Sequence, residues 1–283
     1  MKQKLIALDM DGTLLNDART ISSENKQALN DACDAGHLVM ICSGRPHTSL
    51  SEFLAEMGLA GLPISASNGT VTLVDGEIIN RVLMDKAVVE KTFEWLIKHE
   101  FPFNFYTDAG VFNHAMFFEW AWQDARKRPD FAEQESEYKR IENYFQKIID
   151  VRFNTWNELP TDLGIFKVFV LTTVPTRKKM LEEYMATVSG VMYTSSFPHN
   201  IEITDVNGHK GTGITAVANH FNIPLVDTVA MGDNFNDIGM LNVAGFAVAM
   251  GNAEAEIKEI ADVVTLTNNE HGVAYAIRQY LLS

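Results

Sequence analysis

The chain has 283 residues, 46% of them hydrophobic and 21% charged, which is the composition of an ordinary folded protein and excludes a disordered one. Its formal net charge of -14 at pH 7 argues against nucleic acid or an anionic membrane as a partner, because both favour clustered lysines and arginines. The length fits two domains, and the partners that remain are a small solute or another protein.

The first elements predicted along the chain form a strand, helix, strand unit. Residues 5–8 are a short apolar run that ends at acidic residues, as expected for a buried parallel strand that enters a functional loop. Ser22 or Ser23 can cap the following helix, and Gly36 can close it in the left-handed conformation. Residues 38–42 are the second strand. This order is the unit of a parallel sheet.

Cys33 and Cys42, the only cysteines, lie within this unit. They are too few for a disulfide framework or a thiolate metal site, and their neighbours predict that both are buried. No stretch of the chain is long and apolar enough to span a bilayer. We therefore expect a soluble cytoplasmic protein, and either a monomer or a homodimer fits the sequence.

The stretch at 84–196 differs from its flanks in composition. It holds 21 of the 28 aromatic residues and all four tryptophans, which predicts a core of its own. Residues 101–105 and 165–170 alternate as strands do, whereas 87–99 and 176–187 have the pattern of helices. We interpret this stretch as an inserted α+β domain.

Beyond the insert, the strand and helix pattern of the first residues returns. Its elements are a strand at 201–204, a helix with Ile214, Val217, Ala218 and Phe221 on one face, a strand at 228–231, and apolar runs at 246–250 and 261–266. The two ends of the chain, 1–83 and 197–283, are therefore predicted to form one doubly wound parallel sheet of the α/β class.

Three polar residues, Asp9, Ser43 and Asp233, come directly after predicted strands or within a residue or two of their ends. In an open parallel sheet the carboxyl ends of the strands line the ligand crevice, so these side chains are expected to converge. A turn at Gly12 would separate Asp9 from Asp11. One carboxylate could then attack phosphorus while the other donates a proton to the leaving oxygen, with an aspartyl phosphate as intermediate.

Such an attack on a phosphate dianion needs a cation and hydrogen-bond donors around the transferred group. The segment at 232–237 contributes two further carboxylates, and hard oxygen ligands favour Mg²⁺ over zinc. Ser43 can donate its hydroxyl and Lys210 its ammonium to phosphoryl oxygens. Lys210 also opens a predicted helix, where unpaired backbone N–H groups favour an anion.

The same helix start carries a rival pattern. Residues 211–216 match the dinucleotide fingerprint G-x-G-x-x-A, with Asp233 about 20 residues further on. Several residues separate the fingerprint from its strand, however, and it lies late in the chain. It also fails the P-loop order, because Lys210 precedes the glycines. The role of the neighbouring His209 is not readable from the sequence.

Four motifs closely resemble, in order, those of the haloacid dehalogenase-like phosphatases. They are Asp9-Met10-Asp11-Gly12-Thr13-Leu14, Ser43-Gly44-Arg45, Lys210-Gly211 and Gly232-Asp233-Asn234-Phe235-Asn236-Asp237. The insert resembles a type II cap, and Asn68-Gly69 with residues 200–203 is similar to the Cof-type subfamily with its type IIB cap. The resemblance implies a Rossmann-like core at 1–83 and 197–283 and a substrate-selecting α/β cap at 84–196.

The resemblance also implies a role for each residue of the site. Asp9 is expected to be the nucleophile and Asp11 the acid and base. Mg²⁺ would be held by Asp9, the backbone carbonyl of Asp11 and Asp233, with Asp237 acting through water. The expected phosphate contacts are Met10, Ser43, Gly44, Lys210 and Asn236, with Ser43 in place of the threonine commoner in this family.

These residues lead us to expect a Mg²⁺-dependent phosphoric monoester hydrolase whose partner is a small phosphorylated metabolite. Subfamily substrates include sugar phosphates, nucleotides and pyridoxal phosphate, and nothing in the sequence selects among them. Two alternatives stay open. A phosphoryl transferase or mutase would pass the same aspartyl phosphate to a sugar hydroxyl. A phosphate-binding regulator without turnover is disfavoured by Asp11, because binding alone needs no general acid.

Overall fold

The computed structural model describes residues 2–282, apart from the side chain of Glu137; residues 1 and 283, the ends of the predicted core, lie outside that range. The chain divides into two compact units, residues 2–81 with 209–282 and residues 82–208. The helices are α1 Ser23–Asp34, α2 His47–Glu56, α3 Lys86–Lys98, α4 Phe117–Arg126, α5 Phe131–Ile148, α6 Pro175–Met185, α7 Lys210–His220, α8 Ile238–Val243, α9 Ala255–Ile260 and α10 Gly272–Tyr280. The strands are β1 Leu5–Asp9, β2 Leu38–Cys42, β3 Ile64–Ala66, β4 Val71–Val74, β5 Glu77–Arg81, β6 Phe103–Thr107, β7 Gly110–His114, β8 Val151–Phe153, β9 Ile165–Leu171, β10 Val191–Thr194, β11 Asn200–Asp205, β12 Thr228–Gly232, β13 Phe246–Ala249 and β14 Val263–Val264.

The first unit is built on a sheet with the strand order β14, β13, β12, β1, β2, β3, β4, β5. Neighbouring strands from β14 to β3 are parallel, and β1 lies between β12 and β2. All residues of β1 and β12 are buried. Burial on both faces explains why these strands are unbroken apolar runs. The predicted doubly wound α/β sheet is confirmed.

Antiparallel strands β4 and β5 extend this sheet at one edge. The two residues between them are Asp75 and Gly76, whose φ angles of 51° and 80° suit a tight hairpin turn that favours Asp-Gly.

Local signals set the start and end of α1 as the sequence predicted. The Ser22 hydroxyl accepts a hydrogen bond from the backbone N–H of Asn25 at 3.2 Å, which satisfies one of the free donors at the helix start. Gly36, just beyond the helix, has φ 86°, a conformation that favours glycine.

A second sheet forms the framework of the second unit, with the order β10, β11, β9, β6, β7, β8. Its pairs are antiparallel except for β7 with β8. Alternate side chains of the strands enter two different hydrophobic clusters, which makes this unit an α+β structure with its own core. One cluster joins Phe103, Phe105, Val168 and Val170 to Phe93 of α3 and Leu181 of α6. The other joins Tyr106, Val111, Phe169 and Leu171 to Phe117 of α4 and Phe145 of α5.

One predicted strand was assigned to the wrong sheet. Residues 201–204 were expected to belong to the parallel sheet, but β11 pairs antiparallel with β9 and β10 in the second sheet. The alternation of Ile201 and Ile203 with polar residues shows that a strand has one face in a core, but it does not show which strands are its neighbours.

The expectation that both cysteines are buried was correct only for Cys42. Cys33 is exposed although it lies beside the buried Ala32 on α1, because the buried stripe of this helix follows Ala28, Leu29 and Ala32 and leaves the next position outside. Both cysteines are free thiols. Within residues 2–282, the structure has no helix of sufficient length and apolarity to cross a membrane.

Candidate active site

The parallel register of the first sheet brings the predicted strand-end residues together. Asp9, the last residue of β1, is in register with Cys42, the last residue of β2, and Ser43 follows it. On the other side of β1, strand β12 ends at Gly232 and is followed by Asp233. Because the carboxyl ends of parallel strands meet at one edge, the site forms there.

Lys210 is the centre of the charged contacts at this edge. Its Nζ lies 2.5 Å from Oδ1 of Asp9 and 2.6 Å from Oδ1 of Asp237, and its side chain is completely buried. Burial by itself would lower the pKa of the Lys210 ammonium, but the carboxylates of Asp237 and Asp9 outweigh it and raise that pKa. Lys210 is therefore a permanent cation in this site.

Three carboxylates lie together at this edge, and two of them, Asp9 and Asp237, contact Lys210. Asp9, Asp233 and Asp237 each offer an oxygen, and these oxygens lie within 4.8 Å of one another. Burial raises the pKa of Asp9 well above its usual value, the charge of Asp237 raises it further, and Lys210 opposes both effects. Burial and Asp237 likewise raise the pKa of Asp233 to about 6. One ammonium does not balance three carboxylates.

The excess of carboxylates over cations indicates whether a metal ion would fit the site. A largely buried cluster with excess carboxylates and only oxygen donors suits a hard divalent cation. Asp9 and Asp233 are the residues best placed to hold it. Both oxygens of Asp237 already accept hydrogen bonds: Oδ1 from Lys210, and Oδ2 from the backbone N–H groups of Asp233 and Asn234 at 2.9 and 3.0 Å. Asp237 thus fixes the loop that carries Asp233.

The loop after β1 also contacts Asp233. Gly12 has φ 89°, and a Cβ atom at this position would overlap the Asp233 carboxylate. The Thr13 hydroxyl donates a hydrogen bond to Oδ1 of Asp233 at 2.9 Å. Glycine is therefore required at position 12 both for the turn and for the close approach of Asp233.

Asp11 lies outside the cluster of three carboxylates. Its side chain is half exposed, and both of its oxygens accept hydrogen bonds from Arg45, at 2.7 and 3.1 Å. The side chain of Asp9, by contrast, is almost completely buried. The turn at Gly12 thus gives the two aspartates separate surroundings, although their catalytic roles remain a prediction.

The predicted phosphate contacts lie around the same edge. The backbone N–H of Ser43 donates to the carbonyl of Ser65 at 2.8 Å, and its hydroxyl accepts from the backbone N–H of Arg45 at 3.3 Å. Gly44 is half-buried between them, and Met10 is buried directly after Asp9. The Asn236 amide donates to Oδ1 of Asn68 at 3.4 Å. Contact with phosphate stays a prediction for each of these residues.

Sequence reasoning assigned no role to Thr13, Arg45 and Asn68, which contact the predicted site residues. Thr13 and Arg45 lie inside the quoted motifs but carry no separate signal of their partners. Asn68 has φ 60° within three consecutive left-handed residues, Ser67 to Gly69. The Asn68-Gly69 pair was noted only for its resemblance to the Cof-type subfamily, although an Asn-Gly pair after a strand is also a turn signal.

Packing accounts for the glycines of the dinucleotide-like pattern. A Cβ atom at Gly211 would overlap the backbone carbonyl of Gly239, and one at Gly213 would overlap the Ser65 hydroxyl. The strand that precedes them, β11, belongs to the second sheet, so the strand and helix context of a dinucleotide site is missing between residues 200 and 220. These glycines let α7 approach α8 and β3.

His209 has a packing role in the same place. Its imidazole lies against Gly211 and Gly239, close to where their Cβ atoms would be. Burial lowers the pKa of His209, which favours the neutral ring.

A family model of haloacid dehalogenase-like hydrolases matches residues 6–277. The chain belongs to this family. It is 30% identical over 286 residues to the phosphatase YwpJ of Bacillus subtilis, with 98% of this chain and 100% of the relative covered. It is 33% identical over 289 residues to the 5-amino-6-(5-phospho-D-ribitylamino)uracil phosphatase YwtE of the same organism, with 98% of each chain covered.

The fold is shared with the subclass IIB sugar phosphatase BT4131, with a TM-score of 0.80, 24% identity, and 98% of this chain and 99% of that chain covered. The predicted resemblance to Cof-type haloacid dehalogenase-like phosphatases is confirmed, as is the prediction of a phosphatase enzyme.

Proposed function

We propose that the protein hydrolyses phosphate monoesters of small metabolites with the help of Mg²⁺ and through an aspartyl-phosphate intermediate. The observation that carries this proposal is the buried contact of Asp9 with Lys210 beside Asp233 and Asp237. A carboxylate that is to attack an anionic phosphoryl group needs nearby positive charge, and this cluster has one permanent cation and a donor set that suits a second.

In the proposed first step, a carboxylate oxygen of Asp9 attacks phosphorus and the bond from phosphorus to the ester oxygen breaks. Asp11 gives its proton to that departing oxygen, which leaves as the alcohol. In the second step, water attacks the phosphorus of the aspartyl phosphate while Asp11 takes the proton from water. Phosphate is released and the Asp9 carboxylate is restored.

The metal is proposed to be bound by Asp9, the backbone carbonyl of Asp11 and Asp233, with Asp237 in support. When bound, Mg²⁺ would neutralise charge on the phosphoryl oxygens and lower the repulsion between them and the carboxylates. Lys210 would act on the same oxygens from the protein side. Ser43, Asn236 and the backbone N–H groups of Met10 and Gly44 are proposed as further contacts of the phosphoryl group.

The proposed substrates are sugar phosphates, nucleotides or pyridoxal phosphate, and selection among them is assigned to the insert at 84–196. The relative YwtE is named for a phosphorylated ribityl compound, so 5-amino-6-(5-phospho-D-ribitylamino)uracil belongs on the substrate panel. A cytoplasmic location is part of the proposal, because Cys33 is an exposed free thiol of a kind that persists in reducing compartments.

The test is release of phosphate from p-nitrophenyl phosphate and a panel of phosphorylated metabolites, with Mg²⁺ and with EDTA. We expect turnover in the presence of Mg²⁺ and none in the presence of EDTA. Asp9→Asn should lower kcat by at least about 1,000-fold, because it removes the nucleophile. Its unfolding temperature should be unchanged or higher, because a neutral amide replaces a buried carboxylate that lies among like charges. Asp34→Asn, an exposed position on α1, is the matched control and should keep full activity.

Other results of the same panel would point to other functions. Isomerisation of a sugar phosphate faster than phosphate release would indicate a mutase. Binding of a phosphorylated ligand with no product under any condition would indicate a regulator and would overturn the proposal.

A further inference from the structure

Arg45 occupies a position that the proposed mechanism has not used. It follows the predicted phosphate contacts Ser43 and Gly44, in the loop between β2 and α2. Its backbone is held on both sides, because its N–H donates to the Ser43 hydroxyl and its carbonyl accepts from the N–H of Ser67 at 2.8 Å. The base of this side chain is therefore fixed beside the phosphate-binding loop.

The guanidinium of Arg45 binds Asp11 as a two-pronged fork. Nη2 donates to Oδ1 at 2.7 Å and Nε donates to Oδ2 at 3.1 Å. The guanidinium carbon also lies 4.6 Å from the centre of the Phe53 ring on α2, a cation–π distance. The Arg45 side chain is 16% exposed and the Asp11 side chain 50%. Arg45 is the anchored partner of this pair, and Asp11 is the partner that can leave.

In this arrangement each oxygen of Asp11 accepts a hydrogen bond from the same arginine. A carboxylate engaged at both oxygens in this way is directed at the arginine and not at a leaving group. Asp11 must therefore exchange at least one of these bonds before it can contact an ester oxygen. A phosphoryl group presents the same paired oxygens to a guanidinium, with more negative charge, and so competes for the same fork.

We propose that Arg45 links phosphate binding to the release of Asp11. In the free enzyme the fork holds Asp11, and the phosphoryl group of the substrate takes the place of the carboxylate on Arg45. Asp11 is then free to turn toward the leaving oxygen. This inference rests on the proposed function, because it gives Asp11 a leaving group to meet.

The exchange predicts that Asp11 and phosphate compete for Arg45. The test measures the Kd of inorganic phosphate by calorimetry, with saturating Mg²⁺, for the full-length wild type, Asp11→Asn, Arg45→Ala and the double variant. Asp11→Asn should bind phosphate about tenfold more tightly than the wild type, because an amide is a weaker competitor for the fork. Arg45→Ala should bind it about 10- to 100-fold more weakly.

The double variant separates competition from a general charge effect. If Asp11 only repels phosphate through its charge, Asp11→Asn will tighten binding equally with or without Arg45, and the inference fails. If the fork is shared, the tightening in the Arg45→Ala background should fall below about twofold. Arg81→Ala, an exposed arginine on β5 of the same unit, is the matched control and should leave the Kd unchanged. Arg45→Lys should recover part of the affinity, because a lysine keeps the charge but cannot form the fork.

Kinetics with two leaving groups provide a second readout. Asp11→Asn should lower kcat for an alkyl phosphate more than for p-nitrophenyl phosphate, whose leaving group needs little protonation. Arg45→Ala should raise KM for both substrates and leave the ratio of their kcat values within about threefold of the wild type. A selective loss of kcat on the alkyl ester would show that Arg45 holds Asp11 in its working position, which overturns the exchange.

Failure of this inference is distinguishable from failure of the proposed function. An active wild type whose phosphate affinity does not respond to Asp11→Asn contradicts the exchange alone. A wild type that turns over no phosphate ester contradicts the proposed function itself. Circular dichroism and the unfolding temperature of each variant show whether a change in binding reflects loss of the fold.

Discussion

Asp9, Lys210 and Asp237 are buried beside the half-buried Asp233, and three of these four groups are carboxylates. Burial, helped by Asp237, raises the pKa of Asp9 and raises that of Asp233 to about 6. An acid whose pKa is higher in the folded protein binds its proton more tightly there. The stability that the proton of Asp233 contributes is complete below about pH 4 and is lost as the pH rises through about 6.

This pH dependence leads to a prediction for metal removal. Without metal, the carboxylate of Asp233 should cost stability at pH 7.5 and less at pH 5, where a proton occupies it. Excess Mg²⁺ should therefore raise the unfolding temperature by a few degrees at pH 7.5 and by less at pH 5. Differential scanning calorimetry with Mg²⁺ or EDTA at the two pH values measures this difference. Asp233→Asn should remove most of it, and an equal effect of Mg²⁺ at both pH values would contradict the assignment of Asp233 as a metal ligand.

At the scale of secondary-structure elements, a buried ion pair joins two adjacent strands of the second sheet. Nζ of Lys167 on β9 lies 3.0 Å from Oε1 of Glu202 on β11, and 4.1 Å from the centre of the Tyr106 ring on β6. Both side chains are almost fully buried. Removal of one partner from such a pair leaves a buried charge without its counter-charge, whereas replacement of both by apolar groups is far better tolerated.

Lys167→Met is therefore expected to lower the free energy of unfolding by about 3–5 kcal/mol, and the double variant with Glu202→Leu by less than the single one. Urea unfolding followed by tryptophan fluorescence reports on this unit, because all four tryptophans lie within residues 82–208. The exposed pair Lys179 and Glu183 on α6 is the control, and Lys179→Met should cost less than about 0.5 kcal/mol. A double variant less stable than Lys167→Met would show that the pair is not coupled in this way.

At the scale of the whole molecule, the second unit is one continuous segment with its own sheet, and it separates the two segments of the first unit in the sequence. Residues 82–208 contain two hydrophobic clusters on alternate side chains of that sheet. A unit of this size with its own core meets the usual requirement for independent folding. We expect residues 82–208, expressed alone, to unfold cooperatively in urea and to keep the tryptophan emission maximum of the full chain. A broad transition with exposed tryptophans would show that this unit needs the rest of the chain.

The sequence carried enough information to predict that the strand-end residues of the first sheet lie close together. Asp9, Ser43 and Asp233 could be placed together because a parallel sheet brings equivalent strand ends to one edge, so a correct order of elements also orders the site. The contact between Arg45 and Asp11 could not be found in this way. It depends on how two loops approach each other, and no periodicity or spacing encodes that approach.

The sequence by itself predicted the strands β1, β2 and β12 that carry the site, where α1 starts and ends, and which chemistry the motifs supply. These properties follow from side-chain periodicity, from Ser22 and Gly36, and from the functional groups present, all of which act over a few residues. Only the tertiary structure decided that β11 belongs to the second sheet, that Cys33 is exposed, and that Arg45 holds Asp11. Each of these depends on residues far away in the chain, because strand pairing, burial and ion pairing are set by the partner as much as by the segment itself.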